Sequence, residues 1–529
     1  MKPLVHIVWF KRDLRVQDHA ALYAACSQGK VLPIFCWDAA VWAGGDYATQ
    51  HQMFVKECLT TLKRDLGSIG LSLLEFQQGI LRSLDGISKL YSIGALHSHE
   101  ETGNNNSYQL DRAVAAWCRS QGVTWHEYPQ NGVVRRLRNR DTWASMWEKH
   151  MLAPQVPTPS NATMAERADA LTLDGDAQSL QNKHHDKPLR QRGGRDEAVK
   201  LLHTFLNGRA SRYRGGISSP LSSEHAGSRL SPYLTWGALS MREVVQHLRK
   251  QKLKIQQHPT QYPKGLEAGL IGFESRLHWH CHFMQKLESE PAIEYQNLHP
   301  AFNHLRDEGY ASIELQLRLK AWCAGQTGWP LVDACMAMLR ETGWVNFRMR
   351  AMLMSTASYL LWLHWRETGL HLAREFLDYE PGIHWPQVQM QSGTTGINTL
   401  RIYNPVKQAM DQDPEGVFVR RWLPALRSVP NTWIFQPWLM PASLQEEYSC
   451  KIGVDYPAPL VSIDQALRLA RAQFSLLKRT NQHDAQTATI IKKHASRKTN
   501  ARKSMGMDNK SSQVKHPSVP LSTRQKTLF

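Results

Sequence analysis

The sequence is short of the features that mark membrane and secreted proteins. No stretch approaches 18 uncharged apolar residues, so no membrane-spanning helix is expected. The opening MKPLVHIVWFKRDLR lacks the apolar core and small-residue cleavage site of a secretory signal, and reads as a strand from the outset. Cysteine is sparse and scattered (Cys26, Cys36, Cys58, Cys118, Cys281, Cys323, Cys335, Cys450), with no CxxC pair. That spacing suits neither a zinc site nor a disulfide framework, and a reduced, cytoplasmic protein without a metal is expected. An iron–sulfur cluster would have to draw on the four later cysteines. No G-x-G-x-x-G follows the first apolar run, so a standard dinucleotide cradle is not supported. Acidic residues are in deficit: 46 Asp+Glu against 64 Lys+Arg leave +18, which favours polyanionic partners, nucleic acid or an anionic membrane surface.

What is present divides the 529 residues into unlike parts. Apolar runs at 4–10, 31–37, 71–76, 93–99 and 123–128 read as buried strands, and the segments between them repeat apolar residues at helical spacing. Five strands with intervening helices predict a doubly wound parallel sheet over 1–135, with WFKRDLRVQDHAAL (9–22) and HEETGNNNSYQLD (99–111) at its ligand mouth. Residues 136–195, rich in Pro, Ala and polar residues from 151 onward, read as an interdomain linker. From 196 to 475 the pattern is helical almost throughout, predicting a large all-helical domain. Residues 476–529 form a basic tail; over 481–529 ten Lys/Arg stand against two Asp, and disorder is expected there. Tryptophan is abundant, 18 in all, which suits a buried planar ligand or base stacking as well as ordinary core packing.

The segment ETGWVNFRMRAM (341–352) poses a question of charge. Arg348 and Arg350 lie in an apolar run that continues to Trp365, and an unpaired guanidinium taken out of water costs several kcal/mol or more. Either nearby carboxylates hold them or a bound anionic group does.

Several motifs in order resemble the photolyase/cryptochrome family: WFKRDLRVQDHAAL, RGGRDEAVKLLHTFL with SRYRGG, GSRLSPYLTWGALSMREV (227–244), TGWPLVDACMAMLRETGW (327–344), RIYNPVKQ (401–408) and FVRRWLPALRSVP (418–430). The resemblance spans about 1–475 and implies FAD in the helical domain, with a second antenna chromophore of folate or deazaflavin type in the α/β domain. Tyr213, Ser228, Arg229, Leu230 and Ser231 match its phosphate-contacting positions; a pyrophosphate needs hydroxyls, backbone N–H groups and positive charge around it. The resemblance pairs Arg350 with Asp378 beside the isoalloxazine, puts Glu380 toward the ribose or adenine, packs Trp344 on the pocket wall, and turns Arg348 to the cofactor or a carboxylate.

Four departures stand out. His384 occupies the position, usually Asn, that faces the flavin N5, where it could donate a hydrogen bond, shuttle a proton or be structural. Trp279 matches the lesion-stacking tryptophan, but Arg276 replaces the glutamate expected three residues earlier, and a guanidinium cannot accept hydrogen bonds. His278, His280 and His282 surround Trp279; helical spacing puts only His278 and His282 on one face. In the family's electron-carrying tryptophan chain Trp365 matches the middle member, whereas Val388 and Ser312 replace the others, leaving Trp344, Trp362, Tyr359 or Trp385 as a different route. Finally, the terminal QKTLF (Gln525 to Phe529) resembles peptides that dock in the bacterial sliding clamp.

The expected function is blue-light-driven repair of UV-induced pyrimidine lesions in DNA, a deoxyribodipyrimidine photolyase-like lyase activity, with Trp279, Arg276, His384 and Trp365 in catalytic roles. The alternative is a cryptochrome-like photoreceptor without repair.

Overall fold

The computed structural model describes residues 2–160, 162–166, 186–306, 312–397, 400–477 and 481–495. Five parallel strands, β1 (Leu4–Phe10), β2 (Val31–Cys36), β3 (Leu74–Phe76), β4 (Ser92–His99) and β5 (Thr124–Tyr128), form a sheet in the order β3-β2-β1-β4-β5. β1 and β2 are buried along nearly their whole length, as unbroken apolar runs rich in branched and aromatic residues dictate when helices cover both faces. The chain walks outward from β1 to β3, then crosses back to β4 and β5. The strand order therefore reverses between β1 and β4, the place where open α/β sheets take ligands.

Asp13, just after β1, is wholly buried at this reversal. Its Oδ1 accepts the Lys11 N–H at 2.7 Å, and its Oδ2 lies 2.7 Å from His99 Nδ1 and 3.0 Å from His19 Nε2. Burial alone would raise the Asp13 carboxyl, but the two imidazoles hold it well below the usual range. Among the described residues these three form the one group whose donor atoms lie close enough to share a metal. His19 Nδ1 accepts the Leu22 N–H at 3.0 Å, so the proton of its neutral ring sits on Nε2, facing Asp13. A nitrogen that keeps its proton cannot ligate a metal; the group pins β1, β4 and the following helix together.

The helices used below are α1 (Ala20–Gln28), α2 (Trp143–Leu152), α3 (Leu266–Ser289), α4 (Phe347–Ser355), α5 (Trp365–Glu375), α6 (Pro381–Ser392) and α7 (Asn481–His494). The central one, α3, packs along α6 and against the turn Arg209–Arg212 that leads into Tyr213. Gly269 permits that approach: a Cβ there would stand 1.8 Å from the Ala210 carbonyl oxygen. Overpacking costs ~1–3 kcal/mol, and here the obstacle is backbone that cannot swing aside. Gly269→Ala is therefore expected to lower the urea midpoint, at unchanged m-value, by the equivalent of about 2 kcal/mol even after its gain in helix propensity. An unshifted midpoint would show that the two segments part easily.

Two expectations need correction. The stretch assigned to the linker contains α2, whose Trp143, Trp147 and Met151 are buried one turn apart against α3. The basic tail expected to be disordered contains α7. Its polar sequence has no strong apolar face, and contacts fix it instead: Thr487 Oγ1 lies 3.2 Å from His299 Nε2, Lys493 pairs with Glu290, and His494 is 2% exposed. Residues 496–529, including the QKTLF segment, lie outside the described residues.

Candidate functional site

α3, α4, α5 and α6 enclose a mainly apolar cavity of about 170 Å³. α6 supplies Ile383, His384, Gln387, Val388 and Gln391, α4 supplies Phe347, Arg350, Ala351 and Met354, and α3 supplies His280. Ser231, Thr235 and the segment Phe376–Glu380 complete the wall.

One charged pair sits in that wall. Arg350 grips Asp378 with both terminal nitrogens, Nη1 to Oδ1 at 2.9 Å and Nη2 to Oδ2 at 3.1 Å, while its Nε donates to the Val345 carbonyl at 2.8 Å. The guanidinium lies 4.2 Å above the Phe376 ring. Burial pushes Asp378 upward, but Arg350, the Ser231 hydroxyl and Arg229 together hold it below the ordinary carboxylate value. Asp378 thus stays ionised in an apolar setting.

Glu380, two residues on, behaves oppositely. Arg12 reaches it from the end of β1, Nη1 to Oε2 at 3.1 Å, and also contacts the Tyr47 hydroxyl. Burial nevertheless raises Glu380 to about 7, and its Oε1 has no hydrogen-bond partner. Next to it the Tyr379 hydroxyl donates to Asp46 Oδ2 at 2.6 Å and accepts from Trp385 Nε1 at 3.2 Å.

Two histidines face this space. His384 Nε2 lies 2.9 Å from the Gly369 carbonyl, which can only accept, so the proton of the neutral ring is on Nε2 and Nδ1 is left as an acceptor. Burial lowers His384 to about 3, keeping it neutral. His280 is lowered to about 4, chiefly by burial, and its Nδ1 is buried without a partner. His278 and His282 turn away from the cavity and pack on Trp143 and Trp147 of α2, at ring separations of 4.8–5.8 Å.

Of the residues singled out from sequence, Ser231, Arg350, Asp378, Glu380 and His384 line the cavity, whereas Tyr213, Ser228, Arg229, Leu230, Trp344, Arg348, Trp279, Arg276 and Trp365 do not. Arg229 takes a positive φ of 62° and lays its guanidinium 3.9 Å over the Trp344 ring. Leu230 is fully buried core, and Ser228 Oγ accepts the Leu230 N–H at 3.4 Å. Arg348 reaches the Ser218 hydroxyl at 3.5 Å. Arg276 hydrogen-bonds the Tyr213 phenol. Trp279 is half-buried with its ring 4.9 Å from His282 and 5.6 Å from Phe283. Trp365 donates to Asn297 Oδ1 at 2.6 Å and lies 6.0 Å from Trp385, which lies 4.8 Å from His384. Ser312 caps the helix Ile313–Ala324.

Among the described residues three buried guanidinium nitrogens, Arg229 Nη1, Arg348 Nε and Arg366 Nη1, have no hydrogen-bond partner. A buried donor left so costs ~1–3 kcal/mol or more, an expense that a bound anion removes. Sequence reasoning passed over Gln387 and Gln391, although with His384 and Val388 they fall at i, i+3, i+4 and i+7 of one helix.

An α/β sheet joined to a helical array that encloses an apolar cavity, with an ionised Arg–Asp pair in its wall and unpartnered cationic donors outside its lining, defines the class of protein. Comparison with known proteins gives the class its name. Residues 6–142 match the family model described as DNA photolyase, and residues 273–476 match the FAD binding domain of DNA photolyase. Cryptochrome-2 of Arabidopsis thaliana is 28% identical over 491 residues, covering 88% of this chain and 77% of that protein. The deoxyribodipyrimidine photo-lyase of Alkalihalophilus pseudofirmus is 26% identical over 497 residues, covering 88% and 97%. A bacterial class III photolyase from Agrobacterium tumefaciens shares the fold, with a TM-score of 0.75, 23% identity, and coverage of 91% and 99%. The chain belongs to the photolyase/cryptochrome family and carries its FAD-binding domain.

Proposed function

We propose that the protein is a light-driven DNA-repair enzyme acting on pyrimidine lesions. The observation that carries this reading is the apolar cavity with the Arg350–Asp378 pair and the unpartnered His280 in its wall, in a chain of net charge +18. FAD fits these residues, and when bound and reduced it supplies the electron that light sends to the lesion. Arg229 and Arg348 would hold its phosphates through their unpartnered nitrogens, and Asp378, kept ionised by Arg350, would accept from its ring system. His384 would offer Nδ1 as an acceptor. A lesion flipped from the duplex, at an unstacking cost of about a few kcal/mol, would enter past the half-buried Trp279, with His280 Nδ1 as its polar contact. Trp385 and Trp365 would carry charge outward in place of the chain interrupted at Val388 and Ser312. A second chromophore would sit in the α/β part, and QKTLF would dock a sliding clamp.

A second reading is a photoreceptor that does no repair. It is favoured by the engagement of Arg276 with Tyr213 and by Val388 and Ser312, which remove two expected aromatics.

Repair of an oligonucleotide carrying a cyclobutane dimer, or separately a (6-4) lesion, separates the two. Flavin-loaded protein under blue light is expected to restore one of these substrates, with none restored in the dark, and His280→Ala is expected to slow the restoration at least tenfold. Loss of neither lesion by protein with flavin bound would favour the photoreceptor.

A further inference from the structure

Three phenyl or phenol rings line the cavity, Phe347, Phe376 and Tyr379, and among the described residues no tryptophan does. Of these rings only the phenol gives up an electron readily, and only when its proton can leave with it. An oxidised phenol that keeps its proton is a very strong acid, so a base within hydrogen-bond reach decides whether a tyrosine can be oxidised. Tyr379 has such a base. Its hydroxyl donates to Asp46 Oδ2 at 2.6 Å, and Asp46 comes from the α/β part, on the segment between β2 and the helix Thr49–Gly67. Asp46 is 2% exposed; Asn104 Nδ2 steadies the same oxygen at 2.8 Å, and Oδ1 is buried without a partner, its lone pairs free to take a proton. Trp385 Nε1 donates to the phenol oxygen at 3.2 Å, which would hold that oxygen in place after its own proton had gone.

The charges around the two oxidisable rings differ. Arg366 lies 4.1 Å over the Trp385 ring and opposes a positive charge there. Tyr379 is acted on by Asp46 and Glu294, and by Arg12, which Glu380 holds at 3.1 Å. Burial, then Asp46, keeps the Tyr379 hydroxyl well above its ordinary value, so a neutral phenol and not a phenolate faces the cavity. A bridge that merely ties the two parts of the chain together would need the hydrogen bond alone, not a place in the cavity wall. We propose that Tyr379 is a redox-active tyrosine that gives an electron to the light-excited oxidised flavin, with Asp46 as the base that takes its proton. One electron leaves the phenol for the flavin, the phenolic proton crosses the 2.6 Å hydrogen bond to Asp46 Oδ2, and a neutral phenoxyl remains; electron and proton both return when the charge separation collapses. Trp385 and Trp365 then serve as the slower outlet. This role rests on the flavin reading above but not on repair.

The test uses the full chain with oxidised flavin bound and no DNA, so a protein that repairs nothing still gives a readable result. After a blue flash, freeze-quenched protein is read by electron paramagnetic resonance and, in parallel, by infrared difference spectroscopy. A phenoxyl signal is expected that narrows when the protein carries ring-deuterated tyrosine, together with the carbonyl stretch of a newly protonated carboxyl, and both should form more slowly in deuterium oxide. Tyr379→Phe is expected to remove the phenoxyl signal, and Asp46→Asn to lower its yield roughly tenfold or more at an unchanged flavin-to-protein ratio. A merely structural bridge would shift the melting point of these variants and leave the radical as it was. A radical signal that deuterated tyrosine does not alter places the hole on tryptophan and overturns the proposal without any variant having to fold. A phenoxyl that survives Tyr379→Phe belongs to another tyrosine and overturns it equally, and a yield indifferent to Asp46→Asn removes the base. Protein that carries no flavin before the flash, seen in its absorbance, would fail the cofactor reading and this role with it.

Discussion

Asp378→Asn is expected to leave a folded protein that loses flavin during purification and unfolds about 2–3 kcal/mol more easily. The carboxylate faces two guanidinium groups, bonded to Arg350 and close enough to Arg229 to be held down by its charge. Asparagine can keep one hydrogen bond, but it removes the counter-charge that Arg350 grips and that also acts on Arg229, beside which Arg229 feels Glu224. Removing one partner of a buried pair usually costs ~3–5 kcal/mol; the lower figure applies because the Arg350 side chain keeps 22% of its exposure. The flavin-to-protein absorbance ratio and a urea curve read the two effects separately. Arg350→Lys retains charge without the two-pronged grip, and an intermediate ratio is expected. Full flavin retention by Asp378→Asn would remove this pair from the cofactor site.

Acidification should show a plateau followed by a steep loss of structure below about pH 5. Burial holds His51, His97, His99, His282, His384 and His494 between about 2 and about 4. A lowered histidine contributes stability that is present above its unfolded value near 6.5 and is lost as the pH falls through the folded value, at about 1.4 kcal/mol per pH unit each. Carboxyls raised by burial have the opposite sign. Glu100, Glu294 and Glu380, near 7, and Asp38 and Asp333, near 6, bind protons more tightly folded than unfolded, so their contribution grows as the pH falls toward about 4.3 and is lost as it rises through 7. The two sets largely offset each other from pH 7 to about 5. Below that the unfolded carboxyls also protonate, the offset stops growing, and the lowered Asp13, Asp18 and Asp378 add their own loss. Tryptophan emission and far-ultraviolet dichroism against pH check this. A structure intact at pH 3.5 would mean that these histidines reach water when folded.

The central strands β1 and β2 were legible because each is a continuous apolar run, and a parallel strand buried on both faces needs no alternation to be seen; β5, at the sheet edge, has no buried residue, contrary to the expectation of a buried strand there. The contact between Arg350 and Asp378 was legible for a different reason: a cation in an apolar helix demands an anion, and the resemblance to the photolyase/cryptochrome family named Asp378 as that anion. The division of the HWHCH histidines followed from helical geometry alone. What escaped is where a side chain's direction depends on a partner far along the chain. Nothing local says that Arg229 lies on Trp344, that Arg276 turns to Tyr213, or that Trp279 rests on its own helix instead of the cavity wall. α2 could have been found, since Trp143, Trp147 and Met151 keep a four-residue spacing; proline and polar residues that follow it hid the signal. α7 could not, because Glu290 and His299, almost 200 residues earlier, hold it in place.

Arg12 bears on what could be exchanged between members of such a family. It leaves the first strand and ends on Glu380, while one continuous apolar core draws on Val8 and Phe35 of the sheet, Phe205 and Leu270 of the helices, and Leu377 and Tyr379 at the cavity. The place where the sequence changes character is thus not a seam along which the molecule comes apart. A chimera that grafts another protein's sheet onto these helices inherits an acid without its base and half of a core without its complement. Descent with altered loops, or with an added terminal helix such as α7, leaves that shared interior untouched. Novelty in this architecture is cheapest at the ends of the chain.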